Sequence, residues 1–127
     1  MLNLSYSEDA AQQEANKAIV NQLLDNLAHT GKFIRLSNLD IKYMDAEGSN
    51  VSAKDITAAQ RQNLADYYKY VIQSYMSKIP QDKQAGIVKT TLVDGGDPVG
   101  LWTKNTKTND WVRNATYKAW CDALSGK

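Results

Sequence analysis

The chemistry open to this sequence is bounded first by how few imidazoles and thiols it carries. Its 127 residues include one histidine, His29, and one cysteine, Cys121. A single thiol excludes an internal disulfide framework and a multi-cysteine zinc centre. A single imidazole excludes a polyhistidine metal site, and a serine–histidine–aspartate triad would have to run through His29. His29 sits in Ala28-His29-Thr30-Gly31, at the end of a predicted helix where a cation is favourable, so a structural role is expected. The rings are lopsided, seven Tyr and three Trp against one Phe. Rings with a polar handle suit half-wet surfaces; Trp102 is the best stacking candidate, and Trp120 reads as core. Asp40 lies in Ser37-Asn38-Leu39-Asp40-Ile41-Lys42-Tyr43 with no partner carboxylate in view for acid–base work. Asp94-Gly95-Gly96-Asp97 lacks the alternating oxygen ligands and terminal Glu of an EF-hand and reads as a turn. Neither a metal nor an organic cofactor is expected.

These residues sit on an ordinary background. Fifteen basic and 14 acidic side chains give a formal charge of +1, which argues against a strongly basic nucleic-acid binder and an acidic disordered tail. With 43% apolar and 23% charged residues, one globular domain over residues 1–127 is expected. No run approaches the ~18 consecutive apolar residues of a membrane span, so no membrane partner is expected. The first fourteen residues have neither a basic start nor an apolar run, and no signal peptide is visible. Asn3, Asn50 and Asn114 open weak glycosylation sequons.

Three helices must position the candidates. The first is predicted over residues 7–30, capped by Ser7, with Glu8 and Asp9 in its first turn. Its stripe is Ala15, Ile19, Leu23 and Leu27, flanked by Val20 and Leu24, and Gly31 ends it. A strand over 33–41 follows, apolar to Leu36 and polar toward its C-terminal tip, as in a buried parallel strand whose end faces a site. After a polar loop over 45–55, the second helix starts near Asp55 or Thr57 and stops before Pro80, with Leu64, Tyr68, Val71, Ile72, Tyr75, Met76 and Ile79 on one face. A second strand is predicted over 85–93. The last helix opens at Asn109 or Asp110, with Tyr117, Trp120, Cys121 and Leu124 on one side. The order αβαβα implies an α/β fold with two parallel strands and a right-handed crossover, its functional end at residues 37–43 and 91–102.

The run Gly31-Lys32-Phe33-Ile34-Arg35-Leu36-Ser37-Asn38-Leu39-Asp40-Ile41 resembles the seventh-strand motif of glycoside hydrolase family 10, the endo-1,4-beta-xylanases. Asp97-Pro98-Val99-Gly100-Leu101-Trp102 is similar to the family's segment after strand eight. Leu64-Ala65-Asp66-Tyr67-Tyr68 and Tyr117-Lys118-Ala119-Trp120 fit its last two helices. The wording Asp40-Ile41-Lys42-Tyr43-Met44-Asp45 and Pro98-Val99-Gly100-Leu101-Trp102 is similar to Bacteroidetes-type members. The resemblance, from about Glu14 to Leu124, implies a segment of a (β/α)8 barrel that handles xylan, with a secreted, periplasmic or cell-surface location. It places Asn38 where the family has its nucleophilic Glu and Thr90 where it has a sugar-walling Trp. An amide can neither attack an anomeric carbon nor protonate a leaving oxygen, and the family's acid–base strand lies upstream of these motifs. The resemblance thus implies no catalytic residue here, and Asn38, Asp40, Tyr43, Asp94 and Trp102 as substrate contacts.

A closed eight-stranded barrel takes about 250 residues, and two strands with three helices amount to its C-terminal quarter, incomplete on its own. Unpaired strand edges seek partners, so self-association or a complementary barrel fragment is expected. Two functions follow: a xylanase-like barrel segment inactive by itself, or a non-catalytic module that binds glycan or protein.

Overall fold

The computed structural model describes residues 4–127; residues 1–3, and with them the sequon at Asn3, lie outside the described residues. The elements are β1 (Ser5–Ser7), α1 (Ala10–His29), β2 (Ile34–Leu36), β3 (Lys42–Met44), α2 (Ala58–Lys78), β4 (Gln84–Ile87), β5 (Trp102–Lys104), β6 (Trp111–Arg113) and α3 (Ala115–Leu124), with a short 3-10 turn at Gln81–Lys83. Three helices and a parallel β2–β4 pair joined through α2 match the αβαβα reading. Two features were not in it. β1 pairs parallel with β3, and β5 and β6 form an antiparallel hairpin.

Of the strand expected over 33–41, only Ile34–Leu36 is a strand; residues 37–41 turn away from it, and β3 begins beyond the expected range, at Lys42. Asn38 takes a left-handed φ of 56°, and the Asp40 amide donates back to the Asn38 carbonyl at 2.7 Å. Asparagine tolerates this conformation better than most side chains. Upstream of the turn the chain pairs with β4; downstream, as β3, it pairs with β1. Contact with the β4 side persists through Val88, whose N–H donates to Leu36 and whose carbonyl accepts from Leu39.

Helix ends follow local chemistry. The α1 cap is Asp9, whose carboxylate accepts from the Gln12 amide at 2.7 Å, and not Ser7, which belongs to β1. Thr57 and Gln60 form a reciprocal capping box on α2. The α3 cap is Asn114, whose side chain accepts from the Thr116 and Tyr117 amides. The expected start at Asn109 or Asp110 is instead a turn of the β5–β6 hairpin, with Asn109 at φ 63°.

Helix α2 runs through the core: Leu64, Tyr68, Val71, Ile72 and Tyr75 are all buried. The inward faces of its neighbours are rotated from expectation. α1 presents Gln13, Val20 and Leu24 while Ile19 is 50% exposed; α3 presents Thr116, Ala119, Trp120 and Ala123 while Leu124 is 51% exposed. Small residues at i, i+3 and i+7 let α3 approach α2 closely, which outweighs the pull of the larger apolar groups on its other face. Met76, on the predicted stripe of α2, is likewise 41% exposed.

Two α2 tyrosines stitch the strands from beneath. The Tyr75 hydroxyl donates to the Ile34 carbonyl at 2.6 Å and accepts from the Gly86 amide at 3.2 Å, so one side chain spans β2 and β4. The Tyr68 hydroxyl accepts from the Ile41 amide at 2.6 Å, just beyond the break. Tyr75→Phe strands a buried carbonyl and an amide at once, and is expected to cost about 1–3 kcal/mol. Urea denaturation checks this: the midpoint should fall with an unchanged slope.

Candidate functional site

The C-terminal ends of β2 and β4 bring Asn38, Asp40, Lys89, Thr90 and Thr91 together. The Thr90 hydroxyl donates to Asn38 Oδ1 and that of Thr91 to Asp40 Oδ2, each at 2.5 Å. Lys89 Nζ donates to Asp40 Oδ1 at 2.5 Å and to the Leu39 carbonyl at 3.2 Å. Its side chain is 4% exposed against 24% for Asp40, and its ammonium lies 5.1 Å from the Tyr68 ring centroid. Burial pushes the Lys89 ammonium below its ordinary value, opposed by the hydrogen bond and charge of Asp40. Asn38 is exposed at the crest.

Beside the crest opens a cavity of about 370 Å³. Val20, Leu24, Leu36, Leu39 and Val71 form much of its wall, with Arg35, Asn38 and Asp40 as polar members.

Asp94 anchors the loop that follows. Its carboxylate accepts from Arg61 at 2.5 and 3.3 Å, from the Gly100 amide at 2.8 Å and from the Thr103 hydroxyl at 2.6 Å. Four donors match its acceptor capacity, so this group positions Pro98–Trp102 rather than offering a free oxygen. Gly100 is required there, since a Cβ would lie 2.3 Å from the Asp94 nitrogen.

Tyr43 is fully buried, its ring stacked on Tyr6 and its hydroxyl donating to Glu8 at 2.7 Å. Burial, reinforced by that bond to a carboxylate, pushes its ionisation up. Trp102 is half-buried in a different neighbourhood, edge-on to Tyr117 with the Arg113 guanidinium 5.4 Å from its ring centroid. Of the five expected contacts, then, the fold brings Asn38 and Asp40 together; Tyr43 and Asp94 lie in supporting positions and Trp102 stands apart. Lys89 and Thr91 were missed as site residues. Their signal was present in Lys89-Thr90-Thr91, a polar strand tip aligned with that of β2. His29 is at the α1 terminus as expected, its Nδ1 2.6 Å from the Asp25 carbonyl.

No family model and no curated protein matches the chain. Two solved structures are similar in fold. One is the endo-1,4-beta-xylanase XylE of Penicillium canescens, with a TM-score of 0.62 and 20% identity over 98% of this chain and 35% of that one. The other is a thermostable mutant of the xylanase Xyn10A from Cellvibrio japonicus, with a TM-score of 0.71 and 17% identity over 98% of this chain and 39% of that one. The mixed α/β fold of this chain is thus similar to part of each of these xylanase structures. The chain spans little more than a third of either neighbour's length.

The Lys89–Asp40 pair is the electrostatic centre of the crest. A double-mutant cycle with Lys89→Met and Asp40→Asn should return a coupling of about 1–3 kcal/mol. The folded chain holds the Lys89 proton less tightly than the unfolded chain, whose ordinary value is 10.5. Wild type should therefore gain stability over Lys89→Met as pH rises toward that value. Denaturant titrations from neutral to alkaline pH read both effects.

Proposed function

We propose that this chain is the sugar-facing C-terminal segment of a xylanase-type barrel that binds β-1,4-xylan and does not hydrolyse it by itself. The observation that carries this reading is the pairing of Asn38, at the position where the resemblance has its nucleophile, with an Asp40 carboxylate tied to Lys89 and Thr91. Retaining hydrolysis needs two carboxyl groups about 5–5.5 Å apart, one free to attack. The crest offers an amide and hydroxyls instead, groups that donate to and accept from sugar hydroxyls without breaking a glycosidic bond. Asn38 and Asp40 are the proposed contacts at the crest.

The apolar cavity beside β2 supports a completing partner. Among the described residues each parallel pair is only two strands wide, and pairs that narrow are marginal without further strands or packing. We propose that a second copy of the chain supplies them. Light scattering at micromolar concentration should then give a mass above one chain; a monomer across the accessible range contradicts it.

Retention on insoluble xylan, assayed with reducing-sugar release, tests the function. The expected result is retention without release. Asn38→Gly keeps the left-handed backbone and removes the side chain together with its Thr90 hydrogen bond, and it should weaken retention while the chain stays folded, as circular dichroism of the variant checks. Release of xylo-oligosaccharides by the purified chain, or equal retention by Asn38→Gly, contradicts the reading.

A further inference from the structure

A second cavity, of about 240 Å³, lies between α1 and α2 on the side of β1, outside the crest. Tyr6, Gln13, Lys17, Asp66, Tyr67 and Tyr70 line it. Two of these side chains carry buried polar atoms with no hydrogen-bond partner among the described residues, Gln13 Nε2 and the Tyr67 hydroxyl. Gln13 is 7% exposed and Tyr67 3%. The Gln13 amide has one sensible orientation: its Oε1 accepts from the Ser7 amide at 2.8 Å, and a flipped side chain would set N–H against N–H. Its Nε2 donors are therefore directed by the fold and left unmatched. Buried groups of this kind are rare, and each costs free energy unless something completes it.

The walls say what would complete them. Tyr67 stacks on Tyr70, with centroids 6.1 Å apart and planes 12° from parallel, and meets the half-buried Tyr6 edge-on at 6.1 Å. Such rings provide flat apolar faces beside the unmatched donors. The Lys17 ammonium pairs with Glu14 at 2.9 Å and lies 5.5 Å from the Tyr70 centroid, and the Asp66 carboxylate accepts from the neutral Gln62 amide at 2.8 Å. Among the described residues the one cation lining the cavity is therefore already matched, and the extra carboxylate disfavours an anionic ligand. The volume falls below the roughly 300–1,000 Å³ of sites for drug-sized ligands yet holds several water volumes of about 30 Å³ each. One small ring fits.

We propose that this cavity binds a single neutral polyhydroxylated ring of the pyranose class. With a shift of the side chains that cover these two buried atoms, ring hydroxyls accept from Gln13 Nε2 and exchange hydrogen bonds with the Tyr67 hydroxyl, while the C–H face lies on the tyrosines. The site is built by α1, α2 and β1, so it stands independently of the reading of the crest.

Amide NMR titration of the full chain with methyl β-D-xylopyranoside, and separately with sodium phosphate, tests it. Saturable shifts are expected at residues 13, 17 and 66–70, read separately from any shift at Asn38 and Asp40, which reports on the crest, and phosphate should leave residues 13, 17 and 66–70 unmoved. Tyr67→Phe should weaken binding roughly 3- to 10-fold, the worth of one neutral hydrogen bond. Thermal stability should not fall, because the deleted hydroxyl has no partner to abandon. Gln13→Glu keeps an acceptor for Ser7 but replaces the unmatched donor, and should abolish the shifts at those residues. The proposal is overturned by an absence of saturable shifts in wild type, by shifts confined to the crest, by phosphate occupying the site, or by undiminished binding in both variants.

Discussion

The fold turns on the left-handed turn at Asn38. One extended stretch of chain leaves α1, pairs with β4, and then reverses its allegiance to pair with β1. A single positive φ makes that change of partner possible, and asparagine meets it at less cost than most side chains. Without tethers such a kink would be a weak point in a short strand. It is tethered on three sides: Tyr68 holds the Ile41 amide, Val88 holds that of Leu39, and Thr90 holds the Asn38 side chain. Helix α2 thus serves as a rigid backing, and its tyrosines are long enough to reach past the core to the main chain above.

The same arrangement decides what chemistry the crest can do. Its carboxylate is matched to a cation and a hydroxyl, and the neighbouring Asp94 is matched to Arg61, a backbone amide and another hydroxyl. Buried charges survive only when paired and hydrogen-bonded, so these pairings follow from the burial of Lys89 and Arg61. They leave neutral groups on the outer surface. Neutral donors and acceptors on a preformed ridge suit recognition of hydroxyl-rich ligands, and the near-zero net charge of the chain is consistent with such a partner.

Much of the framework was legible in the sequence. The α2 stripe, its stop at Pro80, the Gly31 terminus and the parallel pairing through a crossover all follow from periodicity and punctuation, and the structure agrees. What could not be read was tertiary. Nothing in residues 33–44 as a string shows that pairing with β4 stops after Leu36 and that a new strand begins at Lys42 against β1, because the decision rests on where β1 lies. The inward faces of α1 and α3 were misjudged for a related reason. Gln13 is buried because Ser7 needs an acceptor, and Ala119 and Ala123 are buried because α2 is close; hydrophobicity alone points to Ile19 and Leu124. The hairpin before α3 did have a signal, two short runs with Trp and Val flanking Asn105-Thr106-Lys107-Thr108-Asn109-Asp110, which the pull of a helix start at Asn109 obscured. At the crest, Asn38 and Asp40 came from the resemblance and the fold sets them beside each other, whereas the place of Lys89 needed the register of β2 against β4.

If the crest is a preformed ridge clamped by α2, its main chain must open only when the whole domain does. Native-state amide hydrogen exchange measures this residue by residue. The amides of Leu39, Ile41 and Val88 should exchange with the free energy of global unfolding, matching the slowest amides of α2. Fast exchange at Leu39 and Ile41 while α2 stays protected would mean that the ridge is a mobile loop lying on a stable helix, and would contradict the account.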